Sequence, residues 1–553
     1  MMVRPNRFLG VLLAGTVLLA ACDEDDPMEP GLSVPGGLQV TVNSPTSISV
    51  TWTAVTSATG YVLERAEGAS GSFAQIATPT ATSYDDSGLT PETQYRYRVA
   101  ARSGSDQSTF STEAAGTTPE AGPAVATLSG EITADRTLFA DTVYTLEGFV
   151  LVREPATLTI EAGTRILGAY ETVGSSLFVL RGASIRAMGT ADAPIVFTSE
   201  RSEGERQPGD WGGLIIIGNA PINRTHPVVL EGTENFSEEI TYSGGTDPDD
   251  SSGELHYVRV EFAGYATADA AELNSFTFAA VGNGTEMDHL QSMSGLDDSF
   301  EWFGGSADAK YLVSYEAGDD HFDMSEGFAG RLQYLIAYQS KVLEPRPGAG
   351  TVASDPQGIE NDGCSGAGCT DGQDSEPLTL PMVANFTLIG TGPGVVDATS
   401  GGFGMVLRRG TGGIYVNGVV ARWPKAALSI RDEASTGARL TSGELAVQNV
   451  LAADNPALFD QGQITVDETE NALEAVATDA QSLFTALPAD PASGGEFDWT
   501  PSSASAAASG GMDAFEGAIA TKAGTFIAGT TFRGAADPTG EKWWEGWTSY
   551  SDN

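Results

Sequence analysis

The sequence predicts an all-β protein in two parts: an antiparallel sandwich, then a right-handed parallel β-helix with a C-terminal cap. Three observations predict it. Residues 33–118 hold short runs with apolar residues at every second place, separated by Gly, Pro, Ser and Thr, as in half-buried sandwich strands. From about Glu131 the spacing changes to β-branched runs punctuated by glycine, as in coils that stack. Within that second part "GLDDSFEWFGG" at 295–305 recurs as "GDDHFDMSEGF" at 318–328. Asp297-Asp298, Phe300, Glu301 and Gly305 thus reappear as Asp319-Asp320, Phe322, Asp323 and Gly327.

Length and charge bound the function. A chain of 553 residues exceeds one ordinary domain unless it is a repeat array. Its 74 acidic against 28 basic residues, net −46, argue against nucleic acid, whose phosphates require Lys and Arg. The same surface suits divalent cations and solubility outside the cell.

The N-terminus reads as an export signal. "MMVRPNRF" carries Arg4 and Arg7, and "LGVLLAGTVLLAA" is an apolar stretch too short to span a bilayer comfortably. It ends in Leu19-Ala20-Ala21-Cys22, which resembles the lipobox of bacterial lipoproteins. The resemblance implies a signal peptide at 1–21, cleavage before Cys22, and acylation of Cys22 as the membrane anchor. An acidic linker follows at 22–32. Its "DEDDP" resembles lipoprotein sorting signals, which set the leaflet by lineage. The expected location is the cell envelope, at the outer membrane and exposed on its surface.

The sandwich strands are "GLQVTV", "SISVTWTAV", "GYVLERA", "QIAT" and "YRYRVAAR". With Pro35, Leu38, Trp52, Tyr61 and "YDDSGLTPETQYRYRVAA", residues 33–118 resemble a fibronectin type III domain. The resemblance implies a core Trp at Trp52 and a tyrosine corner at Tyr95. It implies a spacer or weak adhesion role rather than catalysis.

The β-helix is expected over 125–455. "TLTIEAGTRILG" and "LFVLRGASIRAMGT" align Gly163 with Gly182 one coil apart. The longest excursion, 343–380, contains Cys364 and Cys369. With Cys22 acylated these two remain, and in an oxidising compartment they are expected to form a disulfide, a two-thiolate metal site being the alternative. Residues 456–553 are expected to form the cap and loops, beginning with a helix over 468–487. Trp543, Trp544, Trp547 and Tyr550 are expected to cover the open end of the coil, a sugar-stacking patch being the alternative. "GDWGGLIIIGNAPIN", "DDSFEWFGGSADAKYLV", "GIENDG" and the terminal "FRGA…WWEGWTSY" resemble a group of exported bacterial β-helix proteins, often lipoproteins. That resemblance implies the fold and leaves the function to the site.

The repeated motif defines the candidate site. Alternate strand residues face opposite sides, so Phe300 and Trp302, and Phe322 and Met324, point inward while Glu301 and Asp323 point outward. "GIENDG" adds Ile359 inside and Glu360 outside as a third rung. Rungs about 4.8 Å apart repel by roughly 1 kcal/mol per like pair in water, and by more where shielded. Relief requires a raised pKa, a bound cation or splaying into water. The Asp pairs at the preceding corners are explained by capping of local backbone N–H groups. Calcium held by Asp298, Glu301, Asp320, Asp323 and Glu360 is the second reading. Catalysis is the third: a retaining glycosidase needs two carboxyl groups about 5–5.5 Å apart. A polysaccharide lyase needs a cationic base, for which Lys310, Lys341, Arg408 and Arg409 are the nearby residues. Nucleophile elbows, P-loops, dinucleotide fingerprints and zinc helices are missing from the sequence. The function expected is a lipid-anchored, non-catalytic adhesion or glycan-binding module whose partner is a polysaccharide or another surface protein. The alternative is a carbohydrate-active enzyme, a polysaccharide lyase or glycoside hydrolase, working along the acidic face.

Overall fold

The computed structural model describes residues 32–550 except 226, 234–239, 269–270, 354–355, 393–394, 396–401, 467–472, 477–478 and 488–496. The signal segment and Cys22 lie outside the described residues. The chain divides into two compact units, up to Gly122 and from Pro123 onward.

The first unit is the sandwich. One sheet joins Gln39–Ser44, Ser47–Thr51 and Ser83–Ser87. The other joins Ala74–Ala77, Gly60–Glu67, Gln94–Ser103, Asp106–Gln107 and Ala114–Thr117. Alternation puts Ile48, Val50, Trp52, Tyr61, Leu63, Tyr95, Tyr97 and Val99 into one core, with Trp52 edge-on to Tyr61 at 5.3 Å. The Tyr95 hydroxyl accepts the Thr90 N–H at 2.9 Å, which is the tyrosine corner.

The second unit is a parallel β-helix of three ladders. The first runs from Arg136–Leu138 through Thr157–Ile160 and Ser184–Met188 to Leu445–Gln448. The second runs from Arg165–Gly168 and Ile195–Ser199 to Val419–Ala421, Val450–Ala453 and Leu473–Val476. Between those ends, long strands such as Glu286–Met293, Ala309–Tyr315 and Arg331–Tyr338 serve both ladders. Each is bent by one residue in the left-handed region: His289, Tyr311 and Tyr334 at φ 53°, 61° and 66°. The third ladder holds the repeated motif: Phe276–Ala279, Phe300–Phe303, Phe322–Ser325, Ile359–Asp362 and Phe403–Arg408. Inward residues of all three form one core. Phe276, Phe300 and Phe322 stack through it at 4.9 and 5.4 Å, so each coil supports the next by ring contact as well as backbone pairing.

Several expectations are corrected. Thr157–Ile160 pairs with Ser184–Met188, whereas Arg165–Gly168 pairs with Ile195–Ser199. Gly163 and Gly182 therefore occupy different corners and are not one coil apart. They look alike because both turn the chain at positive φ, 83° and 80°. No helix forms over the described part of 468–487. Leu473–Val476 extends the second ladder by pairing with Val450–Ala453, and Ala480–Leu483 makes a short 3₁₀ turn. An Ala-rich stretch has weak periodicity, and the free edge of the last coil decides its fate.

The terminal aromatics do not cover the end of the coil. Trp544 and Trp547 pack on the outer side of the second ladder, against a surface that includes Met293, Val313, Tyr315, Ile336 and Tyr338. Strands there are apolar on both faces, as "LQYLIAY" shows, and need a cover on the outside too. Anchors tie the tail down: the Gln291 amide donates to the Ser549 carbonyl at 2.6 Å and accepts the Ser549 N–H at 2.8 Å. The coil end is instead closed near Phe459 and Ile464, which bridge to Leu428 and Ile430. On the long excursion Cys364 and Cys369 are joined as a disulfide.

Candidate functional site

The third ladder places Glu301 opposite Asp323, and Asp323 opposite Glu360, on the side facing away from the core. The inward residues beside them, Phe300, Trp302, Phe322 and Met324, are fully buried. The outward side is not open to bulk water. It forms the floor of a cleft of about 510 Å³, walled by Thr351 to Ala353, Gln357 and the excursions that bring in Glu231 and Glu272. Nine carboxylates line it: Glu231, Glu272, Asp297, Asp298, Glu301, Asp319, Asp320, Asp323 and Glu360.

The second Asp of each pair is a cap, but between coils rather than within one. Asp298 accepts the backbone N–H of Asp320 at 2.7 Å, and Asp320 accepts that of Gln357 at 2.7 Å. The chain of caps continues both ways. Asn274 accepts from Asp298 N–H at 3.1 Å, and Gln357 accepts from Phe403 N–H at 2.7 Å. The motif is therefore one of four steps: Asn274-Ser275-Phe276, Asp298-Ser299-Phe300, Asp320-His321-Phe322 and Gln357-Gly358-Ile359. Asn274 and Gln357 share hydrogen-bonding capacity with the two Asp residues but not their charge, so the acidic repeat in the sequence does not reveal them.

Neutralisation is uneven. Arg408 pairs with Glu360, and also with Asp362 at 2.9 Å; Arg409 holds the other Asp362 oxygen. Glu301 instead takes a hydrogen bond from the Asn274 amide. One carboxylate oxygen of Asp323 is buried without a hydrogen-bond partner among the described residues. Of the other cations considered for a lyase base, Lys310 lies over the Phe526 ring at 4.6 Å, and only Arg408 lines the cleft.

Burial first, and neighbouring carboxylates second, hold Asp297, Asp298, Glu301, Asp320 and Asp323 well above the ordinary carboxylate range. Glu360 is pushed up to about 7 by burial and by Asp362, with Arg408 pulling the other way. Carboxyl oxygens meet in three groups, each within 4.8 Å: Asp297, Asp298 and Asp319; Asp298, Glu301 and Asp323; and Asp320, Asp323 and Glu360. Asp323 belongs to two of them. Such all-oxygen groups are able to hold a hard metal ion, whose charge would remove the repulsion that now raises these pKa values.

Comparisons with known proteins bear on this geometry. A family model described as pectate-lyase like beta helix domain matches residues 130–496, and one described as fibronectin type III domain matches residues 33–117. A stretch of 91 residues is 41% identical to an alpha-amylase of Niallia circulans, covering 16% of this chain and 7% of that enzyme. A stretch of 69 residues is 41% identical to a poly(3-hydroxybutyrate) depolymerase of Ralstonia pickettii, covering 12% and 13%. The chain thus spans only a small part of the length of these relatives. Among solved structures, an Fn3-like protein from Clostridium thermocellum is 32% identical over 17% of this chain and 96% of its own, with a TM-score of 0.15. The sixth fibronectin type III domain of human fibronectin type III domain containing protein 3 is 34% identical over 17% and 94%, with a TM-score of 0.16.

Proposed function

Because the chain belongs to the family of pectate-lyase like β-helix domains, we propose that it is a glycan-binding protein of the cell envelope whose acidic cleft works through bound calcium. The observation that carries the reading is the convergence of nine carboxylates on one cleft above the third ladder, with only Arg408 and Arg431 among its described lining residues to offset them. Calcium suits this donor set: it takes six to eight oxygens, carboxylates and carbonyls among them, in flexible geometry. Zinc would look for nitrogen or sulfur, and no His or Cys among the described residues lines the cleft. A bound cation would in turn coordinate sugar hydroxyls or a uronate carboxylate, which an uncompensated acidic cleft would repel. The fibronectin type III domain serves as the spacer between membrane and β-helix.

The test is a glycan array probed with the full protein in calcium and in chelator. Binding that appears only with calcium supports the reading. An array on which no glycan needs calcium for binding ends it.

A second reading, glycan cleavage, is favoured by one observation. Glu301 and Asp323 sit on adjacent rungs with carboxyl pKa values raised by burial and by neighbouring carboxylates, the direction a general acid requires. Shortened products from any array hit, lost in Glu301→Gln, would establish it.

The anchor is proposed on the Leu19-Ala20-Ala21-Cys22 motif. Cys22→Ser is expected to abolish labelling by a palmitate analogue and to release the protein from membranes. Equal labelling of variant and parent would rule the lipoprotein out.

A further inference from the structure

A second cavity, of about 830 Å³, lies along the bend between the first and second ladders. Its floor is a column of four rings from consecutive coils: Tyr257, His289, Tyr311 and Tyr334. The rings stack at 4.2, 4.5 and 5.0 Å, with planes 13°, 20° and 10° apart. The tail supplies the opposite wall, including Thr531, Asp537 and Trp543.

The backbone at this bend makes the column informative. Seven coils place a non-glycine residue there at positive φ: Tyr257, His289, Tyr311, Tyr334, Asn385, Asn417 and Asn449. Asn tolerates that conformation best, because its short amide bonds locally. It is used where the tail closes over the bend. Asn385 donates to Thr530 at 2.8 Å, and Asn449 donates to Asn417 at 2.7 Å. Where the cavity opens, the chain instead carries bulky rings in a conformation that costs them on the order of 1 kcal/mol or more each. The rings are half-buried: Trp543 meets Tyr311 at 5.2 Å and Trp547 meets Tyr257 and His289 edge-on at 5.7 Å, while all four rings still line the cavity. Their polar atoms are also idle. The hydroxyls of Tyr257, Tyr311 and Tyr334 and the Nε2 of His289 make no hydrogen bond among the described residues, while Asp288 holds His289 Nδ1 at 2.7 Å. Burial raises the Tyr257 and Tyr311 pKa values and pushes Tyr334 up to about 12, so these hydroxyls stay neutral donors.

We propose that this groove binds a linear, neutral oligosaccharide, at a site independent of the acidic cleft. The inference rests on the glycan-binding reading above and adds a second site to it. The rings that carry these hydroxyl and imidazole groups repeat at 4.2 to 5.0 Å between centroids, close to the length of one pyranose unit, with apolar ring edges between. That alternation matches the hydroxyl-rich rim and apolar faces of a sugar chain. An extended peptide would instead seek a free strand edge, and the strands here are already paired on both sides. Charge excludes a polyanion. The wall carries Asp537, Glu541 and Glu545, and its Lys542 is neutralised by Asp498 at 3.1 Å and Glu545 at 3.0 Å.

Calorimetric titration of the full protein in chelator with short linear gluco-, manno- and xylo-oligosaccharides tests this. At least one series should bind saturably. Tyr311→Phe should weaken it several-fold through one lost hydrogen bond. Tyr311→Ala should weaken it by about tenfold or more, and Asp323→Asn should leave it unchanged. An unchanged far-ultraviolet spectrum shows that the variants are folded, and Tyr311→Phe keeps the ring stack if Tyr311→Ala does not fold. No heat from any series, binding lost in Asp323→Asn, or binding of a Ser/Thr-rich peptide in place of every saccharide would each overturn the proposal. Calcium-dependent array binding could survive all three results, so the cleft and the groove fail separately.

Discussion

Calcium is expected to raise the unfolding temperature of chelated protein, and Asp323→Asn to remove most of that rise. Asp323, like Asp298, belongs to two of the three oxygen groups, and one of its oxygens is buried without a hydrogen-bond partner among the described residues. An ion bound only to the native state stabilises it by about 2.7 kcal/mol at roughly 100 times its Kd. The pH dependence has a definite sign. The cleft carboxyls have native pKa values above those of the unfolded chain, near 4. Without metal, their contribution is fully present below pH 4 and is lost as pH rises, through about 7 for Glu360. Calcium competes with those protons, so its effect should be larger at pH 8 than at pH 5. A response absent at both pH values, or undiminished in Asp323→Asn, would leave the second Asp of each pair as an inter-coil cap and nothing more.

Arg408→Ala is expected to cost more. Arg408 neutralises Glu360 and shares Asp362 with Arg409, and both carboxylates are buried, with Arg408 mostly so. Removing one partner of a buried ion pair typically costs about 3–5 kcal/mol, because the remaining charge stays desolvated. Glu360 already stands at about 7, so it can escape by taking up a proton. The fall in the urea midpoint should therefore be large at pH 8 and small at pH 5. Added calcium should recover part of the loss at pH 8 by replacing the missing cation. Equal losses at the two pH values would mean that Arg408 acts through packing of its stem and not through its charge.

Much of the site was legible in the sequence. The register Phe300 to Phe322 and Glu301 to Asp323 followed from one repeated motif, and "GIENDG" was placed correctly on the third rung. The motif was legible because inward and outward positions must alternate, and stacking forces like residues to recur at the same step. Asn274 and Gln357 perform the same inter-coil cap as Asp298 and Asp320 but lack their charge, so the repeated acids do not mark them. Glu231 and Glu272 reach the cleft from excursions whose length obeys no period.

What the sequence determined by itself was the class of each part, through local periodicity: alternation for the sandwich, and glycine-punctuated runs with a recurring motif for the coils. Only the tertiary structure decided where segments without a period would lie. The Ala-rich stretch near 473 became a strand because the last coil offered an unpaired edge. The terminal tryptophans covered a flank rather than an end because the outer face of the second ladder is apolar and must be shielded from water. The aromatic column at the bend is built from residues in separate coils, each unremarkable alone. It exists only because parallel stacking brings the same corner of every coil into line.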